Sequence, residues 1–106
     1  INLAVYNPQS RQVAINQINI GEIYLHQHKL EQAREAFEQA LEKLTAILGP
    51  RHVHVAVALE SLGKLYTELG QPHKAKQYFS EALPVFVAAV LKLSADSYSP
   101  FLYFQF

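Results

Sequence analysis

The chain has 106 residues, half of them apolar, and nine basic residues balance nine acidic ones. That length supports one domain with a core of its own, and the neutral balance gives no electrostatic reason to expect nucleic acid or an anionic membrane as partner. There is no cysteine, hence no disulfide framework and no thiol chemistry, and no apolar run approaches the ~20 residues that span a bilayer.

No basic-then-apolar leader opens the sequence, and a cytoplasmic location is the expectation. The absence of methionine predicts that the chain is part of a longer product or has been trimmed. Residues 1–7 read as the tail of a preceding helix that Asn7 and Pro8 end, because proline restricts the residue before it. Ser10 is then a plausible N-cap for a helix over 11–27. A second helix over 30–48 places Leu30, Ala33, Phe37, Ala40, Leu41, Leu44 and Leu48 on one face at steps of three and four. Its other face carries charge, with Arg34–Glu38 as a candidate i, i+4 pair. Gly49 and Pro50 stop it.

A third helix is expected over 52–69, with Glu60 and Lys64 in the favourable i, i+4 order. Gly70 and Gln71 interrupt the pattern, and a fourth helix starts at Pro72, where a missing N–H donor costs nothing. Pro84 falls inside this helix and predicts a kink. The following VFVAAVLKL is apolar almost all round and needs burial on more than one side. Residues 92–106 leave the pattern. Pro100 is expected to break any helix begun at Ser94, with a new helix starting near Ser99. Leu102 to Gln105 (LYFQ) matches the end of a tag-removal protease site, which would make those residues a cloning remnant.

An offset of 42 residues organises the sequence. It carries Gly21 onto Gly63, Tyr24 onto Tyr66, Ala33 onto Ala75, Phe37 onto Phe79, Ala40 onto Ala82 and Leu41 onto Leu83. It also carries Pro8 onto Pro50 and Ala14 onto Ala56. Identity at so many sterically demanding positions marks an internal repeat, with copies at 8–49 and 50–91. Glycine and alanine leave room for a neighbouring backbone, and the aromatic residues fill the space between.

Leu62-Gly63-x-x-Tyr66 followed by Ala75-x-x-x-Phe79-x-x-Ala82, and the first copy with Ile20 in place of the leucine, resemble the tetratricopeptide repeat. The first copy departs at the turn, where His28 replaces the usual glycine. The 42-residue period exceeds the common period of about 34 and, with the linker LGPRHVHVA, is similar to the kinesin light chain type. Val53 stands where that type has proline. The resemblance implies an all-α fold of helical hairpins stacked as a short right-handed α-solenoid, and a protein-interaction role as scaffold or adaptor.

Catalytic chemistry has no foothold. The six serines lie outside any nucleophile-elbow context, and no glycine-rich phosphate loop is present. His26-x-His28 and His52-x-His54 look like ligand pairs, but two steps apart on a helix the side chains diverge by roughly 200°, so they read as turn and linker residues. No metal, cofactor or catalytic residue is assigned, and the chain is not expected to be an enzyme. Glu60, Lys64 and Glu68 form a charged row, whose plain reading is a solvated helix face.

The resemblance assigns the concave groove to the first helix of each repeat. Its matching positions are Ile15, Ile18, Asn19, Glu22, Leu25 and His26, then Val57, Glu60, Ser61, Lys64, Thr67 and Glu68. The carboxylate clamp of chaperone-binding members is replaced by Ile18 and Glu22, then Glu60 and Lys64, so a carboxylate ligand is disfavoured. A protein or peptide in this groove is the first functional expectation. The second is a structural role in which Val85, Phe86, Val90, Leu91, Phe101, Tyr103 and Phe104 form a homo-oligomer interface or pack on a neighbouring domain.

Overall fold

A computed structural model describes residues 8–102, with side chains described over 10–93. Four helices follow one another: α1 (Pro8–His26), α2 (Leu30–Leu48), α3 (Val53–Glu68) and α4 (Pro72–Leu102). No strand occurs among the described residues. α1 packs on α2 and α3 on α4 as two hairpins, and α2 against α3 joins them. Among the described residues no helix is long and apolar enough to cross a membrane.

The two hairpin turns are the same object built from different residues. In the first, the His28 N–H donates to the Leu25 carbonyl (3.0 Å) and the Lys29 N–H to the Tyr24 carbonyl (2.8 Å). In the second, Gly70 donates to Thr67 (3.1 Å) and Gln71 to Tyr66 (2.9 Å). Both are Schellman closures, which need a left-handed residue after the helix. Gly70 supplies it with φ 76°, and His28 adopts it with φ 61°. A side chain there costs about 1–2 kcal/mol that glycine avoids.

Each hairpin closes by laying a phenylalanine ring on a glycine. A Cβ built on Gly21 would lie 2.5 Å from Cε1 of Phe37, and one on Gly63 would lie 2.5 Å from Cε1 of Phe79. The expected contact between Gly63 and its hairpin partner is therefore present in both copies. Ala33 and Ala75 are buried beside it, and the Tyr66 and Tyr78 rings stack with centroids 5.5 Å apart. The core is continuous through both repeats, from Ala14 to Ala82.

Between the repeats, Gly49 (φ 87°) ends α2, its N–H donating to the Thr45 carbonyl. His52 then caps α3: its backbone is extended, and its Nδ1 accepts from the His54 N–H at 3.1 Å. The two imidazoles stack, with centroids 5.1 Å apart. His52 and His54 thus serve the joint between hairpins.

Four expectations need correction. α1 begins at Pro8, so Ser10 lies inside its first turn, where Pro8 is tolerated for the same reason as Pro72. Arg34 pairs back along the helix with Glu31, not forward with Glu38. Lys64 reaches Glu22 on α1 in place of Glu60 on its own helix. Finally, α4 is one element of 31 residues, so Pro100 does not break the helix. Where Gly49 stops α2, the equivalent position of α4 is Leu91, and no glycine follows it.

Of the residues expected at an oligomer interface, Val85 and Phe86 pack partly on the core, whereas Val90 and Leu91 are exposed. The side chain of Phe101, and Tyr103 and Phe104 altogether, lie outside the described residues, as do residues 1–7 and the end of the LYFQ stretch.

The two glycines should respond differently to a methyl group. Phe37 is fully buried under α3 and has nowhere to go, whereas Phe79 is 38% exposed and can move aside. Overpacking costs about 1–3 kcal/mol, against up to about 1 kcal/mol gained from alanine's helix propensity. Gly21→Ala is expected to lower the urea midpoint clearly and Gly63→Ala to leave it nearly unchanged; equal losses would contradict the packing described.

Burial pushes the His54 imidazole below the ordinary histidine range, and the charges of His52 and Arg11 act in the same direction. The unfolded chain then binds the proton more readily than the folded one, so stability rises with pH. The contribution is complete above about pH 6.5 and is lost as pH falls through the folded value. His54→Gln should flatten the acid side of a melting-temperature profile, and an unaltered slope would sink this assignment.

Candidate partner-binding groove

The first helices of the two repeats, α1 and α3, touch directly. What joins them on the inner side is polar. Ser61 on α3 is buried, and its hydroxyl donates to Oε2 of Glu22 on α1 at 2.9 Å. The Lys64 ammonium lies 3.3 Å from the same oxygen. Glu22 and Lys64 occupy one repeat position, 42 residues apart. Equal positions on adjacent parallel helices face each other, so opposite charges there meet.

Beside this bridge opens a cleft of about 550 Å³. Leu25 and Phe79 give it apolar walls, while Glu22, Lys64, Thr67 and Glu68 line one part and His26 and His28 another. The Thr67 hydroxyl donates to the Gly63 carbonyl at 2.9 Å, which turns its methyl outward from its own helix backbone. A second depression of about 430 Å³, edged by Glu35, Glu38 and Glu42, runs along α2 alone and brings no two elements together.

The structure sorts the expected groove residues into three groups. Glu22, Leu25, His26, Lys64, Thr67 and Glu68 line the cleft. Asn19 and Glu60 are exposed but lie outside it. Ile18 is 5% exposed and belongs to the core, and Ile15 and Val57 pack against that core. Ile18 therefore offers almost no surface to a partner. Ser61 acts from beneath the surface through Glu22. Leu25 is buried as well and contributes only its edge to the cleft.

Two cleft residues escaped the sequence reading. Phe79 was read as hairpin packing alone, yet it is 38% exposed. His28 was read as a turn residue alone. The matched charges at positions 22 and 64 were the available signal for the bridge.

The polar bridge should be measurable. In a double-mutant cycle, Ser61→Ala and Glu22→Ala are expected to couple by about 0.5–1.5 kcal/mol, the usual net worth of such a hydrogen bond. Additive losses in urea unfolding would mean that the helices do not depend on this contact.

Comparison with known proteins agrees with this architecture. A sequence profile described as tetratricopeptide repeat matches residues 12–86. The plant protein named Protein KINESIN LIGHT CHAIN-RELATED 3, from Arabidopsis thaliana, is 29% identical over 90 residues. That similarity covers 85% of this chain but only 14% of the relative's length. No solved structure matches significantly.

Proposed function

This chain belongs to the tetratricopeptide repeat family, a family of protein-interaction modules, and from that premise we propose that the cleft between α1 and α3 binds an extended or helical peptide segment of a protein partner. The observation that carries the proposal is the pairing of Lys64 with Glu22. The pair cancels two of the cleft's charges and leaves Glu68, beside apolar Leu25 and Phe79, without an ion-pair partner among the described residues. A segment suited to such a cleft offers an apolar anchor for the Leu25–Phe79 wall and a basic side chain for Glu68. A free carboxylate suits it poorly, because Lys64 is already engaged. The proposed setting is the cytoplasm, and the proposed work is recognition as a scaffold or adaptor, without catalysis, metal or cofactor.

Peptides selected on this chain from a random library provide the test. The selected sequences are expected to pair an aliphatic or aromatic residue with a nearby lysine or arginine. Glu68→Lys should weaken their binding about tenfold, which corresponds to about 1.4 kcal/mol. Selected peptides that bind Glu68→Lys as well as the parent chain would refute the cleft as the binding surface.

A further inference from the structure

At one place the two hairpins differ in kind. In the first, the Gln17 side-chain amide on α1 donates to the side-chain carbonyl of Gln39 on α2 at 2.8 Å, and Glu42 and Lys43 follow on α2. In the second, the same four positions hold Leu59, Glu81, Pro84 and Val85. Leu59 offers Glu81 no donor, so this hairpin has no such bridge. Instead α3 and α4 leave a hollow of about 400 Å³, lined by these four residues and, from the linker, by Pro50 and Arg51.

Stacking of repeats does not account for the change. Gln39, Glu42 and Lys43 are exposed although α3 packs on α2, so a neighbouring repeat does not cover this side of a hairpin. Polar residues suit such a side. Apolar ones grouped there, with Leu59 buried, Val85 half-buried and Pro84 exposed, mark a contact surface.

The charges on its rim choose the occupant. Arg51 and Glu81 are both exposed, and neither joins an ion pair among the described residues. We propose that the hollow seats an apolar side chain of an extended protein segment, with an acidic residue of that segment against Arg51 and a basic one against Glu81. The volume lies at the small end of ligand clefts, about 300–1,000 Å³. It suits one anchor side chain, not a helix about 10 Å across. The hollow shares no lining residue with the cleft between α1 and α3, so either site stands without the other.

The test uses short synthetic peptides with leucine or phenylalanine between an aspartate and a lysine, in both charge orders, titrated against the 106-residue chain by fluorescence anisotropy. Glu68→Lys alters only the other cleft and should bind them as the parent does. The first repeat supplies the decisive variant: Leu59→Gln, Glu81→Gln, Pro84→Glu and Val85→Lys together rewrite the hollow with residues that α1 and α2 already carry. This quadruple variant should lose the peptides while its circular dichroism stays that of the parent. Arg51→Glu changes an exposed residue and should weaken the same peptides, with binding recovered when their aspartate is replaced by lysine. Should the quadruple variant lose helicity, Arg51→Glu decides alone. Peptides that bind the folded quadruple variant or Arg51→Glu as tightly as the parent overturn the proposal, as does a parent chain that binds none at millimolar concentration. Peptides lost on Glu68→Lys lie in the other cleft and also overturn it. A parent that takes no peptide, yet dimerises until the quadruple variant makes it monomeric, gives the hollow to a second copy instead.

Discussion

The contact on which everything else depends is a phenylalanine ring resting on a helix that has no side chain at that point. Phe37 over Gly21 and Phe79 over Gly63 let two helices approach more closely than any Cβ permits. Because the approach is set by one missing atom, it comes out the same in both hairpins. Two equal hairpins can then stack with one residue offset governing all their equivalent positions. Glu22 and Lys64 each follow their glycine by one residue. The constraint that closes the hairpins therefore also brings these two charges to the same height on neighbouring helices. The polar bridge of the groove is a by-product of core packing.

Much of this was legible in the sequence because sterically demanding residues recur. The 42-residue offset gave the two hairpins and the Gly63 contact, with helix limits close to those observed at Leu30, Leu48 and Pro72. What failed to show was of two kinds. Pro100 was given too much weight: with no glycine after Leu91, α4 runs on through it. Charge was read along helices when it acts between them. Arg34 and Lys64 were each assigned an i, i+4 partner, yet Lys64 reaches across to Glu22, which a helical wheel cannot show. The groove suffered most from this, since Ile18 and Glu22 both match groove positions of the repeat and packing puts one in the core and the other on the cleft.

His28 illustrates how a site and a scaffold share a residue. Its left-handed backbone is required by the turn, and Gly70 meets the same requirement without strain. Glycine at that point would close the hairpin better and leave the rim of the cleft bare. The histidine does the opposite, contributing a ring that lines the cleft with His26. Strained residues cluster at ligand clamps and switch regions, and here the unstrained alternative to a residue on the cleft is visible in the same chain.

An internal repeat also supplies its own control for burial. Phe37 and Phe79 have the same chemistry, the same hairpin and the same glycine beneath them. One is fully covered and the other is not, and α3 packs on the helix that carries Phe37. The same comparison holds at the other end, where Leu62 is sealed and Ile20 is half exposed. Apolar exposure of this kind differs from scattered surface leucines, which need no explanation. It is organised along helical stripes whose covered counterparts stand 42 residues away in the sequence. A repeat unit cannot bury both of its faces alone, and among the described residues the outer faces of α1 and α4 keep much of the apolar pattern of the junction between α2 and α3.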